Sequence, residues 1–194
     1  MIREAQARDL ELLLDWRMEV LAHVFEGRRL DSLRQANRRY YQAQLGNGHV
    51  ACFALDPEAT ERICSRNQTQ RENGEPNPTA ADTWQAAVIG CGGVCLQQEM
   101  PSPDNPSGRC GYLMNIYVRP EYRHQGHARE IVEWLMKQAS DWGADKIWLE
   151  ASEDGRPLYE TLGFADLPGM MAIEPHRREE KPEAEHPVQG GNRK

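Results

Sequence analysis

The sequence predicts an α/β (α+β) fold, a mixed sheet covered by helices. Strand patterns gather in the first part of the chain and then alternate with helical ones. "GYLMNIYV" (111–118), a helix over 126–142 and "DKIWLEAS" (145–152) make one strand–helix–strand unit. The helical segments repeat their apolar residues at a period near 3.6, and the strands are rich in β-branched and aromatic residues.

Residues 2–5 ("IREA") fit a short strand. Leu10, Leu13, Leu14, Met18, Leu21 and Ala22 then recur at helical spacing, predicting an amphipathic helix over about residues 7–24. Asp31 is placed to cap a second helix running to about Leu45, and "GNG" at 46–48 ends it. "HVACFAL" reads as a strand. Residues 56–83 hold prolines, asparagines and charges with almost nothing apolar, and read as a mobile loop insertion, with a lid over the site as the alternative. "WQAAVIGCGGVCLQQE" reads as a long strand or a bent hairpin strand whose glycines at 90, 92 and 93 mark a bulge or a close backbone approach. "PSPDNPSG" is a turn, and Pro120 halts the strand that follows it. The 126–142 helix places Ile131, Val132, Leu135, Met136 and Ala139 on one face and is closed by Gly143. "GRPLYETLGF" is a short helix, and "GMMAIEP" reads as a last strand. From His176 the chain is charged and without core residues, so the expected organisation is one domain over 1–175 and a disordered tail over 176–194.

Composition narrows the function. The chain of 194 residues is 39% hydrophobic and 27% charged, ordinary for a soluble globular domain. No window approaches the ~18 consecutive apolar residues of a membrane span. The N-terminus carries acids where a signal peptide has a basic region, which points to a cytoplasmic protein with no membrane partner. A net charge of −7 argues against a nucleic-acid partner, whose affinity rests on phosphate neutralisation. The five cysteines are odd in number, and Cys91 and Cys95 have no second pair to complete a zinc site, so no metal is expected.

One basic stretch breaks the acidic trend. In "RPEYRHQGHAR" a glycine precedes a helix, flanked by Arg123, His124, His127 and Arg129. A helix start leaves about four N–H groups unpaired and carries partial positive charge. With Gly126 bare and Ala128 small, the amides of Gln125 to Ala128 suit a pyrophosphate. A bare turn into a helix is the competing reading on spacing alone.

The same residues carry a resemblance. "NIYVRPEYRHQGHA" resembles the acetyl-CoA signature of the GNAT acetyltransferase superfamily, its core being Arg123-x-x-Gly126-x-Ala128. "LEASEDGRPLYETLGF" resembles the second marker of that family, a strand followed by a short helix with Leu-Tyr-Glu-x-Leu-Gly-Phe. Both stand in the family's order over about residues 111–165. The resemblance implies a mostly antiparallel central sheet in which strand 111–118 splays from "DKIWLEAS". It also implies acetyl-CoA as co-substrate. Ile116, Tyr117 and Val118 would meet its pantetheine arm, and Arg123, His124, Gln125, Gly126, His127, Ala128 and Arg129 its pyrophosphate. Tyr159 would protonate the departing thiolate. Ser152 stands where the family often has asparagine, and its shorter side chain puts that pantetheine contact in doubt. Members often pair as homodimers, which leaves that state open here.

Acetyl transfer to an amine needs a base. Glu99, ending the strand before "GYLMNIYV", is one candidate, with a solvated strand-end carboxylate as its plainer reading; Glu150 is another, and Asn115 could orient a substrate. Asp15, Glu19 and Glu26 lend the side of the first two helices and their connection negative character that would suit a cationic amine, although a solvated helix face explains them as well. The leading expectation is a small-molecule amine N-acetyltransferase. A peptide or protein N-acetyltransferase and an idle acyl-CoA-binding regulatory domain are the alternatives.

Overall fold

The computed structural model describes residues 1–73 and 85–172. Five strands form one sheet in the order β1 (Ile2–Glu4), β2 (His49–Leu55), β3 (Val88–Gln98), β4 (Arg109–Val118) and β5 (Lys146–Leu149). The first four pair antiparallel, and β4 pairs parallel with β5. The sheet is therefore mixed and mostly antiparallel, with one βαβ unit, as the sequence predicts.

The central strands are buried on both faces, so their residues divide between two cores. Ala51, Phe53 and Leu55 of β2 join Leu13, Trp16 and Val20 of helix α1 (Leu10–Val24) and Tyr41 of α2 (Leu33–Gln44). Cys52 and Ala54 face the other way, toward Ile131, Val132, Leu135 and Ala139 of α4 (His127–Trp142). Those four α4 residues are fully buried. At roughly 1.5–3 kcal/mol for each large aliphatic side chain, they outweigh an outer-face ion pair such as Lys137–Asp141, worth about 0.3–0.5 kcal/mol. Gly92 lets the helix come this close. A Cβ there would collide with Ile131 Cγ2 and stand 3.0 Å from Leu135 Cδ1.

Three expectations change. Helix α2 begins after Ser32 rather than at Asp31, and no side chain caps it. Much of the expected 56–83 loop is a helix, α3 (Pro57–Glu72). Its start is well built. Asp56 Oδ1 accepts the N–H groups of Glu58 (2.8 Å) and Ala59 (3.2 Å), and Pro57 supplies a preset φ at the first helical position. The helix escaped notice because its apolar residues are too sparse to show a period. Mobility over 74–83 lies outside the described residues, as does the tail over 176–194. In "GMMAIEP" the described part, 169–172, is a turn and irregular chain, not a strand. Methionine and alanine are weak strand formers, so that reading rested on hydrophobicity alone.

The chain divides into two units, Met1–Phe164 and Ala165–Lys194. The first holds every helix and strand named here, including α5 (Arg156–Thr161).

Candidate active site

Strand β4 breaks its ladder at one place. Cys91 pairs with Tyr117 but Gly93 with Met114, so β4 carries one residue more than β3 over this interval. The extra residue is absorbed at a bulge, where Asn115 adopts φ 57°. Asparagine tolerates this left-handed conformation better than most residues. Its carbonyl accepts a contact from the Cys91 thiol at 3.5 Å, and its Oδ1 accepts an N–H of Arg17 at 2.9 Å. Arg17 Nε donates to Asn37 Oδ1 at 3.4 Å, tying α1 to α2.

The splay begins just before the bulge. Strand β5 pairs with β4 only from Cys110–Lys146 to Leu113–Leu149. Beyond that, Met114–Val118 has β3 on one side and no strand on the other among the described residues. Arg119 N–H bonds Ile89 O at 3.0 Å, so the backbone groups of Val118 point to the open side. The Val118 carbonyl there accepts Arg123 Nε at 3.0 Å. Ile116 leans on the α4 core, while Tyr117 faces α1, 6.1 Å from Trp16 and 5.6 Å from His23 between ring centroids.

The open edge of β4 leads into the glycine turn. Pro120–Tyr122 makes one 3₁₀ turn, His124 takes φ 59°, and Gly126 at φ 89° is the N-cap of α4. The left-handed conformation is what the glycine provides, since a Cβ at Gly126 would meet nothing within 4 Å. Among the described residues, no acceptor takes the N–H groups from Gln125 to Arg129; the first amide engaged is that of Glu130, by Gly126 O at 3.1 Å. An open space faced by unpaired amides at a positive helix end fits a phosphate group. Around it, Gln125 Nε2 donates to Glu121 O at 3.3 Å, Arg123 lies over the Tyr117 ring, and the Nδ1 of His127 is buried without a hydrogen bond. Arg129 donates to Thr161 Oγ1 at 2.7 Å, joining the first turn of α4 to the end of α5.

Tyr159 is on α5, half-buried, its ring 5.9 Å from that of Phe164. Burial raises its phenol above the ordinary value, so it remains protonated at neutral pH. Ser152 Oγ accepts the Gly155 N–H at 3.2 Å and helps shape the entry to α5, so its lone pair is used locally.

The face of β4 and β5 toward α1 and α2 is aromatic and polar. Tyr112 stacks on Trp148 at 4.2 Å, and the Trp148 indole N–H is buried without a partner. Burial raises the Tyr112 phenol, and the negative charge of the exposed Glu150 adds to the rise. Nearby, the Tyr40 hydroxyl meets Cys95 Sγ at 2.8 Å and His49 Nδ1 at 3.2 Å. His49 is buried, and desolvation followed by the charge of Arg17 lowers its pKa to about 4, so the ring is neutral at pH 7.

The structure does not bring Glu99 to this cleft. Glu99 N–H bonds Gly108 O at 2.7 Å, and its carboxylate lies 3.5 Å from Lys146 Nζ. It sits by the start of β4, some seven residues from the bulge, or about 23 Å at the rise of an antiparallel strand. A hydrogen bond from the Cys110 thiol, with Lys146 beside it, holds its carboxyl below the usual range, the wrong direction for a base. Asp15 and Glu19 do not leave the cleft acidic either. Asp15 pairs with Arg34 at 2.7 Å and Glu19 with Arg119 at 3.2 Å. Arg17 and the Tyr112–Trp148 stack were not picked out from the sequence; an arginine amid the acids of α1 was the one signal available.

The site is thus a strand pair opened into a V beside a helix start with unpaired amides. Residues 30–164 match the model of the acetyltransferase (GNAT) family, and the chain belongs to that family. It resembles a predicted acetyltransferase from Clostridium acetobutylicum solved with acetyl-CoA, at TM-score 0.70 and 23% identity over 90% of this chain and 95% of that one. It is 33% identical over 95 residues to thialysine N-ε-acetyltransferase of Sus scrofa, covering 38% of this chain and 56% of that protein. It is 38% identical over 55 residues to the ribosomal protein bS18-alanine N-acetyltransferase of Escherichia coli K12, covering 27% of this chain and 37% of that protein. The match thus spans about half or less of these curated relatives. Among the described residues no group of His, Cys, Asp or Glu could hold a metal ion, and no helix is long and apolar enough to cross a membrane.

Proposed function

We propose that this protein transfers an acetyl group from acetyl-CoA to a primary amine of a small molecule. One observation carries the reading: the unpaired edge of β4 runs directly into a turn of unpaired amides at Gly126. The edge groups of Ile116 to Val118 suit the amides of a pantetheine arm, and the turn from Arg123 to Arg129 suits its pyrophosphate. The co-substrate would supply a thioester, activated for attack by an amine. Tyr159, kept neutral by burial, would give its proton to the leaving sulfur. Glu150 follows the last paired residue of β5, where β4 and β5 part, and its charge acts on Tyr112; that position favours it over Glu99 as acceptor of the amine proton. Arg123 would have to exchange its bond to Val118 O for one to phosphate, or act from its place over Tyr117.

The test is calorimetric titration with acetyl-CoA and with CoA, followed by thiol release in an amine screen, on the wild type and Tyr159→Phe. Shared binding of both ligands, turnover in the wild type and a kcat lowered about 10²-fold in the variant are expected. Binding without turnover of any amine would favour an acyl-CoA-binding regulatory role. Turnover of peptide amines alone would move the substrate to proteins. Unchanged kcat in Tyr159→Phe would return that residue to packing.

A further inference from the structure

We propose that Arg17 is an anion-binding subsite of the acceptor pocket, so that the amine this protein acetylates also carries a carboxylate or phosphate. The inference rests on the acetyl-transfer reading and sharpens its substrate class. Arg17 is half-buried on α1, and its guanidinium reaches the β4 bulge, next to where β4 and β5 part. Its bonds go to two neutral side-chain oxygens, those of Asn115 and Asn37. Guanidinium has five N–H donors, so about three remain for another acceptor, in a fork that fits a carboxylate or phosphate.

No carboxylate neutralises it. Among the described residues Arg17 forms no ion pair, while every acid of the same helix is held by another arginine: Glu11 by Arg34 and Arg38, Asp15 by Arg34, and Glu19 by Arg119. The titratable groups that feel its charge are Tyr40, Tyr41, His49, Cys91 and Tyr112, all uncharged at neutral pH. A half-buried cation among neutral groups is costly unless something anionic shares the site. Glu150, at the end of the facing strand, lies close enough for its charge to act on Tyr112, which also feels Arg17. Arginine on one wall and carboxylate on the other match a molecule bearing both an anion and an amine. The Tyr112–Trp148 stack would be the apolar floor between them.

The test compares acceptors matched except for the anion: L-lysine against cadaverine, and phosphoethanolamine against ethanolamine. A charge-assisted bond predicts a kcat/KM about 10- to 100-fold higher for the anionic member of at least one pair, expressed mainly in KM. Which pair shows it separates carboxylate from phosphate. Arg17→Gln should collapse that ratio toward unity, and Arg17→Lys, which keeps the charge, should restore part of it. A second readout needs no turnover. Glutarate titrated calorimetrically into protein saturated with CoA should bind, and about tenfold more weakly to Arg17→Gln. Amine turnover with equal rates for both members of each pair, and no glutarate binding, would overturn the subsite while leaving acetyl transfer standing. Failure of CoA to bind would overturn acetyl transfer, and glutarate titrated into the free protein would still judge Arg17.

Discussion

Replacing Gly126 separates backbone strain from ligand contact. The residue adopts φ 89°, and a Cβ there has no neighbour within 4 Å. An alanine thus meets no steric clash and costs only the left-handed backbone penalty, about 1–2 kcal/mol. For a domain of this size that is a Tm lowered by roughly 2–8 °C. Gly126→Glu carries the same strain, since its longer side chain also starts in open space. Ligand binding should divide the two. The glutamate would put bulk and a negative charge before the unpaired amides of Gln125 to Arg129, where phosphate oxygens are expected. Losing two or more charge-assisted bonds of about 1.5–3 kcal/mol each predicts at least a 10²-fold weaker CoA affinity. Thermal unfolding and calorimetric titration with CoA, run on the wild type and both variants, provide the two readouts. Equal Tm values for the variants with a large affinity gap would support the cradle. CoA affinity within about twofold of wild type in Gly126→Glu would refute the phosphate argument, since even one lost bond exceeds that.

Other outcomes follow from the same geometry. Gly92→Ala forces a methyl group into Ile131 and against Leu135, and should cost about 1–3 kcal/mol in denaturant unfolding. Glu150→Gln should lower kcat/KM about 10²-fold in thiol-release assays, whereas Glu99→Gln should leave it unchanged. His49 is neutral in the fold, with its pKa down from 6.5 to about 4. The unfolded chain therefore binds the proton first. Stability is full above pH 6.5 and falls between 6.5 and 4, by about 3 kcal/mol for a difference near 2.5 at 1.36 kcal/mol per unit. Urea titrations across that range should show the loss in the wild type, and His49→Gln should flatten it.

The parts legible from sequence were those whose signals are local. Strand 111–118, helix 126–142 and the glycine between them are each set by neighbours in the chain: β formers, an apolar period and a residue able to take positive φ. The nonlocal parts were hidden. The splay depends on where β5 stops pairing, and the bulge at Asn115 on a ladder between β3 and β4. The place of Glu99 depends on the same pairing. In an antiparallel pair the end of β3 meets the start of β4, so "just before the strand" is far from that strand's bulge. Helix α3 was missed because its start rests on the backbone contacts of Asp56 rather than on an apolar stripe. Arg17 reads as one polar residue of an amphipathic helix until the fold shows that its neighbours' charges are spent elsewhere.

The seat of α4 on Gly92 has a mechanical side. Where a helix rests on side chains, rotamer changes can cushion and shift it; at Gly92 its Ile131 and Leu135 meet bare backbone instead. The same stretch of β3 faces the bulge of β4 across the ladder. The anchoring turn at one end of α4 and the bend at Asn115 are thus gauged from one stiff stretch of chain. Repacking elsewhere in the core should alter stability well before it alters the span between them.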